Sequence, residues 1–265
     1  MPTFPFPRVR LEIEDGVAAL TLAHPEVLNA ICPEMLGGLL DALDVVEDPA
    51  HGARCLLVTG EGRAFSAGAN LGGAGPSTRA DDAGAVLESH YHPVFRRLRD
   101  LRMPVVTAVN GVAAGVGMSL ALMGDMVLAA RSAYFLQAFR RIGLVPDGGA
   151  TWILPRLVGM ARARELSLLG ERLPAEQALA WGLINRVHDD AELPAAARAL
   201  AAELAAGPTR ALALMRRLYW ASPDNGYEQQ LDLERSLQRE AGRTRDSRDG
   251  IRAFLEKRPP VFRGE

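Results

Sequence analysis

The sequence predicts an α/β fold from three observations. With 265 residues, of which 48% are hydrophobic, the chain is long enough to bury a large core. Cys55 to Thr59 and Val105 to Val109 are short apolar runs bounded by turn residues, a pattern typical of strands buried on both faces of a sheet. Pro33 to Val46 instead carries its apolar residues at helical spacing. This alternation favours strands and helices packed around a common core.

The chain opens with a predicted β-hairpin. Arg8 to Ile13 alternates polar and apolar residues, and Val17 to Leu22 is rich in residues that favour strands. Asp15 and Gly16 supply a two-residue turn signal between them. We therefore expect the fold to begin with two strands joined by a tight turn.

A long uncharged segment lies in the middle of the chain. Met103 to Gly124 contains no charged residue and is long enough to raise the question of a membrane span. It also contains Pro104, Asn110 and four glycines, which interrupt a continuous apolar helix. The segment is therefore predicted to be a buried strand, a turn and a helix, and no membrane partner is expected.

A helical region is predicted after the α/β part. Strand patterns stop after about residue 190, and helical spacing runs over Ala191 to Ala206, Thr209 to Trp220 and Tyr227 to Arg243. We therefore divide the chain into a core of residues 1–190 and a C-terminal helical region of residues 191–265. Before that boundary, the segment Gly72 to Gly84 is rich in small and polar residues and predicts a loop that could cover a nearby site.

Charge and cysteine content disfavour several classes of partner. The formal net charge of −2, from 30 basic and 32 acidic residues, leaves no basic surplus with which to bind a nucleic acid. The two cysteines, Cys32 and Cys55, are too few for a disulfide scaffold and fit a reducing compartment. Because no apolar stretch of signal-peptide length opens the sequence, we expect a cytoplasmic protein.

Metal and nucleotide-cofactor motifs are not matched. His90 and His92 stand two residues apart, so their side chains would point in different directions on a helix, and no third ligand is visible nearby. Gly115-Val116-Gly117 lacks the third glycine of a dinucleotide fingerprint, which would fall at position 120. The sequence therefore predicts no bound metal and no redox cofactor.

Two runs of small residues and one carboxylate form the most informative local pattern. The runs are Ala64 to Leu71 and Asn110 to Gly117, and Asp147 follows them within Val145 to Gly149. Small side chains let the backbone approach a ligand, and the N–H groups of a turn that opens a helix can converge on one oxygen. Such a pair of N–H groups would stabilise an enolate, with Asp147 as the base.

Several motifs together resemble the enoyl-CoA hydratase/isomerase (crotonase) family. They are His24 to Ala30, Ala67-Gly68-Ala69, Gly111 to Gly117, Gly143 to Gly149 and Ala253 to Lys257. Each motif is weak alone, but their order and spacing match nearly the whole chain. The resemblance implies a crotonase-like spiral of ββα units, a C-terminal helical trimerisation region, and an acyl-CoA substrate bound by a homotrimer or hexamer.

The resemblance also implies catalytic roles. The oxyanion donors would be the backbone N–H groups of Ala69 and Val116, with Val116 standing where glycine is usual. The two glutamates of crotonase-type hydratases would fall at Ser119 and Phe139, and neither residue can act as a carboxylate base. Isomerase members carry an aspartate at the place of Asp147, so the resemblance favours an acyl-CoA isomerase that shifts a double bond.

Further residues are assigned to substrate binding by the same resemblance. The substrate itself supplies the CoA, so no separate cofactor is implied. Lys257 near the C-terminus would help to hold the CoA nucleotide, although an exposed basic helix end would have the same sequence. The assigned substrate- and CoA-binding residues are Val27, Leu28, Ala30, Ala67, Gly68, Leu71, Gly115, Phe139 and Lys257.

Asp147 also has a purely structural interpretation. An aspartate before a helix is a preferred N-cap, typically contributing ~1 kcal/mol. Its apolar neighbours Leu144, Val145 and Trp152 would raise its pKa by desolvation, whereas a helix starting near Gly149 would lower it. The sequence leaves the direction of the pKa shift open.

Other functions remain as alternatives. Ala64 to Gly68 nearly fits a serine nucleophile elbow, with Asp147 and His188 in the matching order, but Ala64 breaks the motif and Ser66 is expected to be a packed turn residue. A hydratase with a non-standard base, a thioester hydrolase, and a non-catalytic acyl-CoA-binding protein also stay open. Glu88 to Phe95 is by default a surface helix, with Tyr91 or His92 as an alternative substrate contact.

Overall fold

Two β-sheets organise the residues that the structure describes. The computed structural model describes residues 3–72 and 82–265, so most of the predicted loop from Gly72 to Gly84 lies outside the described residues. The strands are β1 (Thr3–Phe6), β2 (Val9–Glu14), β3 (Val17–Leu22), β4 (Cys55–Gly60), β5 (Ala64–Ser66), β6 (Val105–Val109), β7 (Val112–Ala114), β8 (Met126–Ala130), β9 (Tyr134–Leu136), β10 (Arg172–Pro174) and β11 (Arg186–His188).

Helices connect and cover these strands. A π-helical turn, Leu87–Tyr91, separates the second helix from the third. The α-helices are α1 (Pro33–Glu47), α2 (Ala83–Val86), α3 (His92–Asp100), α4 (Val116–Ala121), α5 (Ala150–Leu169), α6 (Ala175–Ala180), α7 (Leu193–Ala206), α8 (Thr209–Ala221), α9 (Tyr227–Ala241) and α10 (Arg245–Glu256). Among the described residues, every helix falls short of the length and apolar character that crossing a membrane requires.

The larger sheet has seven strands in the order β1-β2-β3-β4-β6-β8-β11. Its first three strands pair antiparallel, which confirms the predicted opening hairpin. From β3 onward the pairs are parallel, and β6 is buried at every residue, as its uninterrupted apolar sequence predicts. The edge strand β1 was not predicted, because Pro5 within it belongs to a residue type that is rare in strands away from an edge.

The smaller sheet has the order β10-β9-β7-β5, in which β9, β7 and β5 run parallel to one another and β10 pairs antiparallel with β9. Consecutive strands alternate between the sheets: β4, β6 and β8 join the larger one, whereas β5, β7 and β9 join the smaller one. Helix α4 follows β7, and α5 follows β9 after a longer loop. This repetition of two strands and a helix confirms the predicted spiral of ββα units.

The last strand ends at His188, near the predicted boundary at residue 190. Helix α7 nevertheless packs against the larger sheet, because its apolar face, which includes Leu193, Ala197 and Leu200, is buried in the main core. Helices α9 and α10 differ, since each presents large apolar side chains to solvent. These are Leu231, Ile251, Phe254 and Leu255, with exposed fractions of 41%, 61%, 83% and 74%. The oligomerisation role of this region stays a prediction.

A buried ion pair fastens α8 to the core. Arg216 on α8 is 5% exposed at its side chain, and its Nε donates to Oδ2 of Asp125 at 2.5 Å. The same guanidinium donates to the carbonyl oxygens of Leu98 and Leu101 at the end of α3. The N–H of Val105 also donates to Asp125, at 2.7 Å. Asp125 and Arg216 thus satisfy one another inside the fold.

Candidate active site

The parallel strands of the smaller sheet bring three loops to one edge. Strand β5 ends at Ser66, β7 at Ala114 and β9 at Leu136. Because neighbouring parallel strands end on the same side, the loops that follow them meet at the carboxyl edge of the sheet. These loops carry the two runs of small residues and Asp147.

The first and second loops are in direct contact. Gly68 has a φ of 95°, a conformation that glycine adopts readily and other residues rarely. A Cβ atom at this position would lie 2.8 Å from the carbonyl oxygen of Ala114 and 3.7 Å from the Cα of Gly115. Glycine at position 68 therefore lets the two loops meet.

The N–H of Ala69 is left without an acceptor among the described residues, whereas its neighbours are bonded. The Ala67 N–H donates to the carbonyl oxygen of Leu28 at 2.9 Å, and the Asn70 N–H donates to that of Ile31 at 2.8 Å. The intervening Gly68 N–H donates to the Ser66 hydroxyl at 3.2 Å. The first loop is therefore anchored on both sides of a free donor, the one predicted for oxyanion stabilisation.

The second predicted donor has a similar setting. Val116 is the first residue of α4, so its N–H has no acceptor within the helix. The preceding Gly115 N–H donates to the carbonyl oxygen of Leu136 at 2.8 Å, which holds this loop to the end of β9. The side chain of Val116 is 1% exposed and packs in the core. Its branched side chain thus leaves the backbone N–H unobstructed.

Asp147 does not cap a helix, so the capping interpretation is wrong. Helix α5 begins at Ala150 with Gly149 as its cap residue, and no side chain accepts a hydrogen bond there. Asp147 is half-buried, and its Oδ1 atom is buried without a hydrogen-bond partner among the described residues. A buried carboxylate oxygen without a donor is costly to maintain, which indicates a functional role.

Burial raises the pKa of Asp147 to about 6, and the positive charge of protonated His92 opposes this shift. The apolar neighbours in sequence are not the cause, since Leu144 and Val145 are 50% and 79% exposed. Trp152 instead stacks on Trp220, with ring centroids 5.3 Å apart. The expectation that these three residues desolvate Asp147 is therefore wrong for Leu144 and Val145, because their side chains face outward.

The Asp147 loop packs closely on two other elements. A Cβ atom on Gly148 would lie 2.7 Å from Cβ of Ser119 and 2.8 Å from Cζ of Phe95. The hydroxyl of Ser119 donates to the backbone carbonyl oxygen of Asp147 at 2.9 Å. Phe139 is buried, and its ring lies 3.7 Å from where a Gly115 side chain would begin. Positions 119 and 139 thus shape the site but add no carboxylate.

Tyr91 lies near Asp147 and is buried, although the sequence by default predicted an exposed surface helix for this segment. It is 4% exposed and ends the π-helical turn. Burial, assisted by electrostatic interaction with Asp147 and Cys32, raises the pKa of Tyr91 to about 12. His92 is more exposed, and its Nδ1 lies 2.8 Å from Oε2 of Glu88.

Ser66 is not placed as a nucleophile. Its side chain is fully buried, and its hydroxyl donates to the carbonyl oxygen of Asn29 at 2.8 Å. An elbow serine must be exposed at the top of its sheet. The serine-hydrolase alternative through Ser66 is therefore wrong, because the hydroxyl serves to join two loops.

Asn29 is a structural residue of the site that sequence reasoning missed. It is fully buried, and its amide donates to the carbonyl oxygens of Glu61 and Ala64 at 2.9 and 2.8 Å. Its Oδ1 accepts the N–H of His24. These bonds fasten the segment of Val27, Leu28 and Ala30 to the start of β5. Tolerance of asparagine for positive φ, here 54°, is the only sequence signal for this role.

The predicted CoA-binding residues differ in exposure. Val27 and Leu71 are 37% and 52% exposed, Leu28 is half-buried, and Ala30 is buried. Lys257 is exposed at the end of α10, and no ion pair joins it to another part of the described chain. The CoA-binding roles of these residues stay predictions.

Comparison with known proteins decides the family. The sequence model of the enoyl-CoA hydratase/isomerase family matches residues 12–265.

The chain belongs to the enoyl-CoA hydratase/isomerase family.

Members of this family resemble the chain along its whole length. The 1,2-epoxyphenylacetyl-CoA isomerase of Escherichia coli K12 is 49% identical over 255 residues, covering 96% of this chain and 97% of that protein. A Rhodobacter capsulatus protein named "Probable enoyl-CoA hydratase" is 45% identical over 257 residues, covering 97% and 98%. The crystal structure of an enoyl-CoA hydratase from Polaromonas sp. JS666 matches with a TM-score of 0.89 and 35% identity, covering 96% of this chain and 99% of that one. Both hydratases and isomerases are thus represented among its relatives.

Proposed function

We propose that this member of the enoyl-CoA hydratase/isomerase family is an acyl-CoA isomerase that shifts a carbon–carbon double bond. The observation that carries the proposal is the carboxylate of Asp147, half-buried and without a partner at Oδ1 among the described residues. It lies on the sheet edge that also carries the free N–H groups of Ala69 and Val116. A double-bond shift needs one group that removes a proton and returns it elsewhere, and one carboxylate suffices for this.

The proposed reaction conserves every atom of the substrate. Ionised Asp147 takes a proton from C2 of a 3-enoyl thioester, and the C–H electron pair moves toward the thioester oxygen to give a dienolate. The Ala69 and Val116 N–H groups donate hydrogen bonds to that oxygen while its negative charge develops. Protonated Asp147 then returns the proton to C4, and the double bond forms between C2 and C3.

The raised pKa of Asp147 supports this role. A group that accepts and returns a proton works best when its pKa lies near the operating pH. Burial places the pKa of Asp147 at about 6, closer to neutrality than the ordinary value of 3.8. Near neutral pH the carboxylate is therefore mostly ionised, yet basic enough to take a proton from an activated carbon.

Hydration is the competing function, and the names of several relatives favour it. In this family, hydratases resemble one another in placing two glutamates at the positions that Ser119 and Phe139 hold here. A phenyl ring and a serine hydroxyl that already donates to Asp147 offer no base for a water molecule. The 49% identity to a protein named as an isomerase gives further support to isomerisation.

The proposal extends to the substrate and the assembly. CoA would lie along Val27, Leu28, Ala30 and the loop from Ala67 to Leu71, with Gly115 and Phe139 beside the acyl group and Lys257 near the nucleotide. The proposed chemistry requires no metal and no redox cofactor. Exposed apolar side chains on α9 and α10 support a homotrimer or hexamer, and two buried free cysteines support a cytoplasmic setting.

Mass spectrometry of CoA thioesters tests the proposed function. The purified protein is incubated in heavy water with matched 2-enoyl-CoA and 3-enoyl-CoA substrates. Isomerisation predicts a moved double bond and no added water, with deuterium in the product wherever the proton on Asp147 exchanges with solvent before it is returned. Addition of one water molecule would instead assign a hydratase, and saturable binding without turnover would assign a binding protein.

A further inference from the structure

Tyr91 is a buried phenol that the proposed reaction does not yet use. It ends the π-helical turn Leu87–Tyr91, an arrangement that occurs often at functional sites. The residue is 4% exposed, and its hydroxyl makes no hydrogen bond to the other described residues. The hydroxyl is therefore free to donate to a group that lies close to the ring.

Helix geometry places Tyr91 beside the Asp147 loop. Phe95 stands four residues after Tyr91, so the two rings lie one above the other on the same face of consecutive turns. The Phe95 ring contacts Gly148, the residue that follows Asp147, with Cζ 2.8 Å from a Cβ built there. The Tyr91 ring thus lies one turn from a contact with the loop that carries the carboxylate.

A polar group that lacks a partner lies in the same part of the molecule as the Tyr91 hydroxyl. Asp147 has a buried Oδ1 atom without a donor among the described residues, and the Tyr91 hydroxyl makes no hydrogen bond to them either. The negative charge of Asp147 acts on the Tyr91 hydroxyl, which places the two groups within electrostatic range of one another. Catalytic hydrogen bonds are often long in the free enzyme and shorten when substrate binds.

We propose that Tyr91 is a positioning residue whose hydroxyl donates a hydrogen bond to the carboxylate of Asp147 during catalysis. The inference rests on the proposed function of Asp147 as the base. A bond to the ionised carboxylate orients the oxygen that takes the substrate proton. It also stabilises the anion, so that protonated Asp147 returns its proton to carbon more readily.

The other groups around Asp147 leave this role to Tyr91. His92, on the same segment, acts electrostatically on Asp147, and its Nδ1 is engaged by Glu88. Ser119 on α4 already donates its hydroxyl to the Asp147 backbone carbonyl. Phe95 and Phe139 have no polar atom to offer. Cys32 lies near Tyr91, and burial raises the pKa of its thiol.

The test compares pH profiles of kcat/KM for wild type, Tyr91→Phe and Tyr134→Phe. Removing a hydrogen bond to the ionised form raises the pKa of Asp147, so Tyr91→Phe is expected to move the acid limb upward by about one pH unit. We expect kcat to fall about tenfold with KM nearly unchanged, because a less well oriented base slows the chemical step. Tyr134 lies on β9, with the guanidinium of Arg172 over its ring, and its variant is the matched control that is expected to leave the limb in place.

A second variant strengthens the donor without changing its shape. A fluorotyrosine incorporated at position 91 is a stronger acid, and it is expected to shift the acid limb downward. An unchanged limb in both position-91 variants would overturn the inference, even if kcat changed. Failure of the proposed function looks different: Asp147→Asn would then retain full isomerase activity, whatever the Tyr91 variants do.

Discussion

Two aspartates of this protein lie in contrasting surroundings. Asp125 accepts hydrogen bonds from the guanidinium of buried Arg216 and from the N–H of Val105. Its negative charge is therefore balanced inside the fold by the positive charge of Arg216. Asp147 has a buried oxygen with no donor among the described residues, and its pKa is raised to about 6 by burial. The first arrangement holds helix α8 to the core, whereas the second suits the proposed role of Asp147 as a base. Incomplete pairing therefore distinguishes the carboxylate proposed as catalytic from the structural one.

The largest expected difference between the two aspartates is in turnover. Asp147→Asn removes the proton acceptor, so kcat for double-bond isomerisation should fall ~1,000-fold, with affinity for a CoA ester nearly unchanged. Asp125→Asn should retain most of the activity of the folded enzyme. Steady-state kinetics and CoA-ester binding measure both. Equal losses of kcat in the two variants would contradict the distinction between a catalytic and a structural aspartate.

The oxyanion donors are expected to matter next most. Replacing the Ala69 amide by an ester, with lactic acid in place of alanine, removes only the free N–H and should lower kcat ~100-fold. The same replacement at Ala67 is the matched control, since that N–H is bonded to Leu28. It should cost about 1 kcal/mol of stability and leave kcat nearly unchanged. A larger kcat loss at position 67 than at position 69 would argue against the assignment of the donor.

For folding stability, unlike turnover, we expect the Asp125 substitution to be more damaging than the Asp147 substitution. Asp125→Asn leaves Arg216, with 5% side-chain exposure, as a buried charge without its counter-ion. We expect the free energy of unfolding to fall by about 3 kcal/mol. Chemical denaturation measures this loss. A change in stability no larger than that of an exposed surface substitution would show that the ion pair is not structural.

The smallest expected effect is a pH-dependent gain in stability for Asp147→Asn. The raised pKa means that the folded protein binds this proton more tightly than the unfolded chain does. The stabilisation is complete below about pH 4 and is lost as the pH rises through about 6. Asparagine never ionises, so the variant should exceed wild type by about 2 kcal/mol at about pH 8, with allowance for partial exposure. Denaturation at about pH 4.5 should show little difference, and an equal gain at both pH values would contradict this account.

Elements with a strong local signal could be predicted from the sequence. Helix α1 and strands β4 and β6 follow from apolar periodicity, and their predicted bounds agree with the structure within a residue or two. Strands β5 and β7 of the smaller sheet have three residues each, too few for a periodic pattern. Their place in a second sheet depends on pairing between distant segments, which local spacing does not encode.

The candidate site likewise contains residues that could be predicted from the sequence and residues that could not. The small-residue loops and the nearby Asp147 could be predicted, because glycines in such runs are needed locally for tight turns and close approach of the backbone. Burial of Tyr91 could not, since its π-helical turn packs against α1, which lies much earlier along the chain. Asn29 likewise bonds to carbonyl oxygens 32 and 35 residues further on. The direction of the Asp147 pKa shift also depends on how deeply the carboxyl group is buried, which the sequence does not show.

A carbon-13 titration of the aspartate side chains tests the central claim most directly. Carboxyl signals of the labelled protein are followed against pH, and the Asp147 signal is the one missing from Asp147→Asn. The account predicts that this signal titrates at about 6 and that the acid limb of kcat/KM coincides with it. A titration near the ordinary value of 3.8, or a kinetic limb that does not follow the signal, would contradict the assignment of Asp147 as the base.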